Sequence, residues 1–296
     1  MSIAERQAVL AFLAANPSED NPSLEAQRAR LDSLADYFAV PDGVEVELAA
    51  VGGVPGEWVR AKRARNDAAL LYLHGGGYVV GSSKSHRHLA AALSEASGLP
   101  VFAADYRLAP ENPFPAAVED AVAAYKGLLD SGLAPAHLAI AGDSAGGGLT
   151  LAALVALREQ GLPMPACAVG LSAWTDLSAS NPSHRTRLDR DPMIRGDGLH
   201  VMAAHYLGGA DARMPLASPL FADLTGLPPL LLQVGSEEVL HDDTMVFKAR
   251  AEEMGVEVSA ESWGGMMHVW HVFHPMLSEG RAAIARIGQF LKVHIA

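Results

Sequence analysis

The chain predicts an α/β fold, a mostly parallel central sheet with helices on both faces, and three observations carry that expectation. From residue 68 onward, short continuous apolar runs alternate with longer helical patterns, the order that a parallel sheet with crossover helices requires. A Gly-Asp-Ser-Ala-Gly run at 142–146 lies between one such apolar run and one such helix. A His-Gly-Gly-Gly run at 74–77 closes another apolar run, at the strand end where ligands sit in open α/β sheets.

The elements follow in order. Residues 1–40 read as two amphipathic helices broken at Asn16-Pro17, with Leu24, Leu31, Leu34 and Phe38 forming one apolar face of the second. Alternation from Gly43 to Ala61 predicts an antiparallel hairpin. Ala68 to Leu73 is apolar throughout, as a strand buried on both faces should be. Helices are expected at 85–97, 115–130, 146–160, 196–207, 239–254 and 275–294. Strands are expected at 100–104, 137–141, 165–171, 230–235 and 256–262, and 174–195 reads as irregular.

Bulk properties narrow the function. The 296 residues are 50% hydrophobic, enough for one large domain or two small ones. A net charge of −12 argues against nucleic acid and against anionic membrane surfaces. Cys167 is the only cysteine, so no internal disulfide forms, which suits a cytoplasmic protein. The longest N-terminal apolar run, Ala8 to Ala15, is too short for a membrane span, and no signal peptide is expected.

Four stretches carry chemistry. Gly142 to Gly146 matches G-x-S-x-G, a sharp strand-to-helix turn that raises the Ser144 hydroxyl above a sheet at a helix N-terminus. The glycines at 75–77 free backbone N–H groups to face a developing oxyanion. Residues 235–243 follow a strand and hold Glu237, Glu238, Asp242 and Asp243, any one of which could partner a histidine. Residues 266–271 hold His268 and His271, so the chain order is Ser, acid, His. A metal held by His268, His271 and His274 is not expected, because no acid or cysteine sits at ligand spacing among them. In the proline-rich stretch 105–115, Arg107 is expected to pair with Asp105 or Glu111 as architecture behind the site.

These residues together resemble the bacterial hormone-sensitive-lipase group of α/β-hydrolase esterases. The match rests on HGGGY (74–78), DYRLAPENPFPAA (105–117), GDSAGGG (142–148), DPMI (191–194), residues 238–242 and Met266-Met267-His268-Val269-Trp270, and it spans nearly the whole chain. The resemblance implies an α/β-hydrolase catalytic domain at 41–296 and a helical cap made by residues 1–40 and an insertion at about 185–215. It implies Ser144 as nucleophile, His268 as base in preference to His271, and the amides of Gly76, Gly77 and Ala145 as the oxyanion hole. The family's acid register falls on Glu238, where aspartate is the common residue. Tyr78, Asp143, Trp174, Leu188 and Met193 are the candidate substrate-binding residues. The implied activity is hydrolysis of short- to medium-chain acyl esters, a small-molecule substrate, with no cofactor or metal, and a homodimer is the implied assembly. A non-catalytic small-molecule receptor on the same fold is the alternative, and loss of the histidine would mark it.

Overall fold

A computed structural model describes residues 3–17 and 22–296. The N-terminal helices α1 (Ile3–Ala15), α2 (Leu24–Asp32) and α3 (Leu34–Tyr37) precede the hairpin β1 (Glu45–Val51) and β2 (Val54–Arg60). Then come β3 (Ala69–Leu73), α4 (Ser83–Ser97), β4 (Val101–Ala104), α5 (Ala116–Asp130), β5 (Leu138–Asp143), α6 (Ala145–Glu159) and β6 (Cys167–Leu171). The chain closes with α7 (Ser183–Thr186), α8 (Gly198–Leu207), β7 (Leu230–Gly235), α9 (His241–Glu253), β8 (Val258–Trp263) and α10 (Ser278–His294). The expected cap of residues 1–40 includes 1, 2 and 18–21, which lie outside the described residues.

The eight strands form one sheet in the order β1-β2-β4-β3-β5-β6-β7-β8, parallel from β4 to β8 and antiparallel at β1–β2 and β2–β4. Every residue of β3, β5, β6 and β7 is buried, and alternate side chains feed two cores. Leu71, Leu73 and Ile140 point to the α5–α6 side, whereas Leu70, Tyr72 and Ala139 point to the α4–α10 side. That two-faced burial explains the continuous apolar runs.

Two expectations are corrected. The single apolar face proposed for 24–38 is divided, because Ser33 separates α2 from α3 and its hydroxyl donates back to the Arg30 carbonyl at 2.7 Å. Leu24 and Leu31 then pack on one core, and Leu34 and Phe38 on the other. Arg107 pairs with neither Asp105 nor Glu111. Its guanidinium meets Glu119 at 2.9 Å and Asp120 at 2.8 Å on α5, while Asp105 accepts from Ser83 and Glu111 pairs with Arg28.

Burial holds His74, His88 and His271 at about 3 and His274 at about 4. In the unfolded chain each titrates near ~6.5. Below that pH the unfolded state binds up to four protons that the native state refuses, so stability falls as pH falls, by about 1.4 kcal/mol per pH unit per group. The denaturant midpoint should therefore drop steadily between about pH 6.5 and 4. A midpoint that stays level over that window would contradict the burial of these imidazoles.

Candidate active site

The site is built on a strained turn. Ser144 sits between β5 and α6 with φ 53° and ψ −121°, a conformation rare for a residue with a side chain. Neighbouring segments hold it there. The Ser144 N–H donates to the Leu171 carbonyl at 2.8 Å, and the Ser144 carbonyl accepts from Gly148 and Trp174. The chain passes so closely that a Cβ at Gly146 would lie 2.0 Å from the Leu73 carbonyl oxygen, and one at Gly142 2.3 Å from that of Gly146. Only glycine fits both positions.

Two loops at the ends of β7 and β8 meet this serine. His268 Nε2 lies 2.9 Å from Ser144 Oγ, and His268 Nδ1 lies 3.0 Å from Glu238 Oε2. An ionised Glu238 can only accept, so Nδ1 carries the proton and Nε2 is left to receive one from serine. The second oxygen, Oε1, accepts from the Gly235 N–H at 2.6 Å and the Ser172 hydroxyl at 2.7 Å. A carboxylate that is 0% exposed is thus met by three donors, which offset its loss of water only in part, since burial still holds its pKa above the usual value. Ser144 is 9% and His268 6% exposed, so the reacting edge is nearly enclosed.

The glycine run after β3 folds back beside the serine. Gly75 donates to Asp143 Oδ1 at 2.9 Å, and the Gly76 carbonyl accepts from Val79 and Val80. Gly76 has φ +117°, and a Cβ there would meet the Val80 carbonyl oxygen at 2.1 Å. The N–H groups of Gly76, Gly77 and Ala145 donate to no acceptor among the described residues. Ala145 is fully buried, where an amide is seldom left this way, and its N–H lies at the positive end of α6, whereas Gly76 and Gly77 are half-buried.

The other acids and histidines lie elsewhere. Glu237 bonds Ser236 and Arg190, Asp242 bonds Ser183 and His241, and Asp243 bonds Thr175, Asp176, Asn181 and His184. His271 Nε2 faces Gln233 Oε1 at 2.9 Å. Among the described residues no group of three potential metal ligands converges, and no helix is long and apolar enough to cross a membrane.

The five candidate substrate-binding residues fall in different surroundings. Asp143 points into the scaffold, where it accepts from Tyr72 at 2.6 Å and from Gly75 and faces His86 Nε2 at 3.4 Å. Tyr78 and Trp174 are core residues; Tyr78 stacks on Tyr206 with centroids 3.7 Å apart, and the Trp174 Nε1–H donates to the Asp176 carbonyl. Leu188 is half-buried, and Met193 is exposed, its N–H bonded to Asp191. A further side chain beside the glycine run comes from α8. Met202 reaches so near that a Cβ at Gly77 would sit 2.8 Å from its Cγ.

Sequence reading missed two further residues. The Ser172 hydroxyl donates to Glu238 and accepts the Val269 N–H at 3.1 Å, joining the acid to the loop of His268. Its place at the end of β6 was the available signal. Asp191 accepts from Val239, the residue after Glu238, and from Met193, so it ties the 185–215 segment to the acid's turn.

The fold and this constellation define an α/β-hydrolase. Residues 70–272 match the family model described as the alpha/beta hydrolase fold. The chain is 49% identical over 295 residues to an acetyl-hydrolase of Streptomyces hygroscopicus, covering 99% of this chain and 97% of that one. It superposes on a crystal structure of an esterase from the bacterial hormone-sensitive lipase family with TM-score 0.97 and 46% identity, covering all of both chains. A structure of EstE5 soaked with p-nitrophenyl butyrate matches at TM-score 0.93 and 50% identity, over 99% of this chain and 98% of that one. The chain belongs to the hormone-sensitive-lipase-like esterases of the α/β-hydrolase superfamily, and it is a carboxylic ester hydrolase.

Burial works to lower the His268 imidazole, but the hydrogen bond and charge of Glu238 outweigh it, so its pKa lies above the ordinary value. A general base must be neutral, so activity should be lost as pH falls through that raised value. The acid limb of the kcat/KM profile should have its midpoint above about 6.5. In Glu238→Gln the midpoint should move down while the plateau falls by up to about 10⁴. A native midpoint at or below ~6.5 would contradict the coupling.

Proposed function

We propose that the protein hydrolyses short-acyl carboxylic esters through an acyl-enzyme on Ser144. The unbroken line from Glu238 Oε2 to His268 and from His268 Nε2 to Ser144 Oγ, at 3.0 and 2.9 Å, carries this reading. Ser144 Oγ attacks the ester carbonyl carbon as its proton passes to His268 Nε2. The carbonyl oxygen becomes an oxyanion facing the amides of Gly76, Gly77 and Ala145. Collapse breaks the bond to the alcohol oxygen, which takes the proton from His268. Water, deprotonated by the same nitrogen, then attacks the acyl carbon; the bond to Ser144 Oγ breaks, Oγ takes the proton back from His268, and the carboxylic acid leaves. Glu238 stays ionised throughout and stabilises the imidazolium.

The preference for short acyl groups rests on three supports. Ser144 is nearly enclosed, Met202 of α8 packs against Gly77, and a relative 49% identical is named an acetyl-hydrolase. The segments 1–40 and 185–215 are proposed to form the cap that limits the pocket. Each methylene adds about 0.8 kcal/mol of binding only while pocket remains to receive it. A binding-only receptor role is not favoured, since His268 is present and bonded to Ser144.

A series of p-nitrophenyl esters from acetate to palmitate tests the reading, with Ser144→Ala as its companion. We expect kcat/KM to peak at chain lengths of roughly C2 to C8 and Ser144→Ala to lose activity by near 10⁶. Faster turnover of palmitate than of butyrate would overturn the acyl preference. Retention of more than about a hundredth of kcat in Ser144→Ala would overturn the mechanism.

A further inference from the structure

The glycine run beside Ser144 is anchored by a residue from the N-terminal segment. Arg28 lies on α2, well apart in sequence from every catalytic candidate. Its Nε–H donates to the Val79 carbonyl at 3.0 Å, and one Nη2–H donates to the Ala109 carbonyl at 3.1 Å. The remaining donors form a two-bond fork with Glu111, at 2.9 and 2.7 Å. One guanidinium thus spends four hydrogen bonds on two loops, the one after β3 and the one after β4.

Those loops are already interlocked, since Ala109 N–H donates to the Tyr78 carbonyl at 2.9 Å. One helical turn after Arg28, Asp32 accepts from Ser82 at 2.5 Å, and Ser82 caps α4. Arg28 and Asp32 therefore hold both ends of the segment 79–82 that leaves the glycine turn. The Val80 N–H, in the same peptide group as the Val79 carbonyl, donates to the Gly76 carbonyl at 3.0 Å, so the peptide gripped by Arg28 closes the turn containing Gly76 and Gly77. Gly76 and Gly77 have φ +117° and +62°, and glycine has little intrinsic preference between these and other backbone states. Their amide directions must be imposed from outside the run.

We propose that Arg28 is a positioning residue for ester hydrolysis: through the Val79 carbonyl it fixes the turn that aims the Gly76 and Gly77 amides at the oxyanion. The N-terminal segment then acts on the chemical step as well as covering the site. A donor fixed in advance stabilises the transition state without reorganising, and losing one such donor costs about 10²–10³ in kcat. Loosening two of them should cost less than that but should fall on kcat. The inference rests on the reading that these amides bind the oxyanion.

Arg28→Gln and Arg28→Lys test it in the full chain. Lysine keeps the charge opposite Glu111 but cannot reach the carboxylate and both carbonyls together. In Arg28→Gln we expect kcat on p-nitrophenyl butyrate to fall roughly ten- to a hundredfold, with KM changed by less than about threefold. Affinity for a trifluoromethyl ketone analogue of the tetrahedral intermediate should fall in step with kcat/KM. Arg28→Lys should recover part of both, and it serves as the test if the glutamine variant does not fold. Unchanged kcat with raised KM, or unchanged analogue affinity in a folded variant, would overturn the proposal. Ser144→Ala in the same assay separates the two levels: if it stays active, the underlying reading fails, whereas if it is inactive while Arg28→Gln keeps its kcat, only the positioning role fails.

Discussion

The backbone at Ser144 is the constraint on which the rest of the site depends. A side-chain-bearing residue at φ 53° and ψ −121° costs on the order of 1–3 kcal/mol, and it persists only where its surroundings over-determine it. Here the surroundings are the sheet itself. β5 is paired on both sides, by β3 and β6, and the Ser144 N–H continues that ladder to Leu171. α6 is buried along nearly its whole length and starts immediately after the serine, which leaves no slack in which the turn could relax. The same closeness that forbids a Cβ at Gly142 and Gly146 seats the end of β3 directly against the turn.

Around that turn, buried carboxylates organise loops. Glu238, Asp143, Asp191 and Asp243 are each almost fully buried, and each gathers donors from segments remote in sequence. Removing an ionised carboxylate from water is expensive, so each persists only because its donors are already in place. Asp143 lies one residue before Ser144 and accepts from the Gly75 N–H. Glu238 joins β6, β7 and the histidine loop through Ser172, Gly235 and His268. Burial works to raise the Asp143 carboxyl, but His86 and Tyr72 outweigh it and hold the group at about 2. Geometry and charge therefore reinforce each other.

Much of this was legible in the sequence, and the exceptions have physical reasons. Strands at 138–143 and 230–235 stand out because two-sided burial makes them apolar throughout, and the glycines at 142 and 146 mark a turn with no room. The break at Ser33 is invisible to apolar spacing, because a hydroxyl bonding its own backbone makes it. The partners of Arg107 and Glu111 were misassigned because nearness in sequence was read as nearness in space, whereas α5 and α2 supply them. Tyr78 and Trp174 were read as pocket walls because they are bulky; both are buried, with Tyr78 stacked on Tyr206 and tilted against Trp174. For Ser172 the place at the end of β6 was the one signal, and it becomes specific only once Glu238 is seen to touch that hydroxyl.

The central claim is that Ser144 is the one side chain activated for covalent attack. Active-site titration with a p-nitrophenyl organophosphate, followed by peptide mapping, tests it most directly. The account predicts one label per chain, on Ser144, formed as activity disappears and absent from His268→Gln on the same timescale. A label on another residue, or full inactivation with Ser144 unmodified, would contradict it.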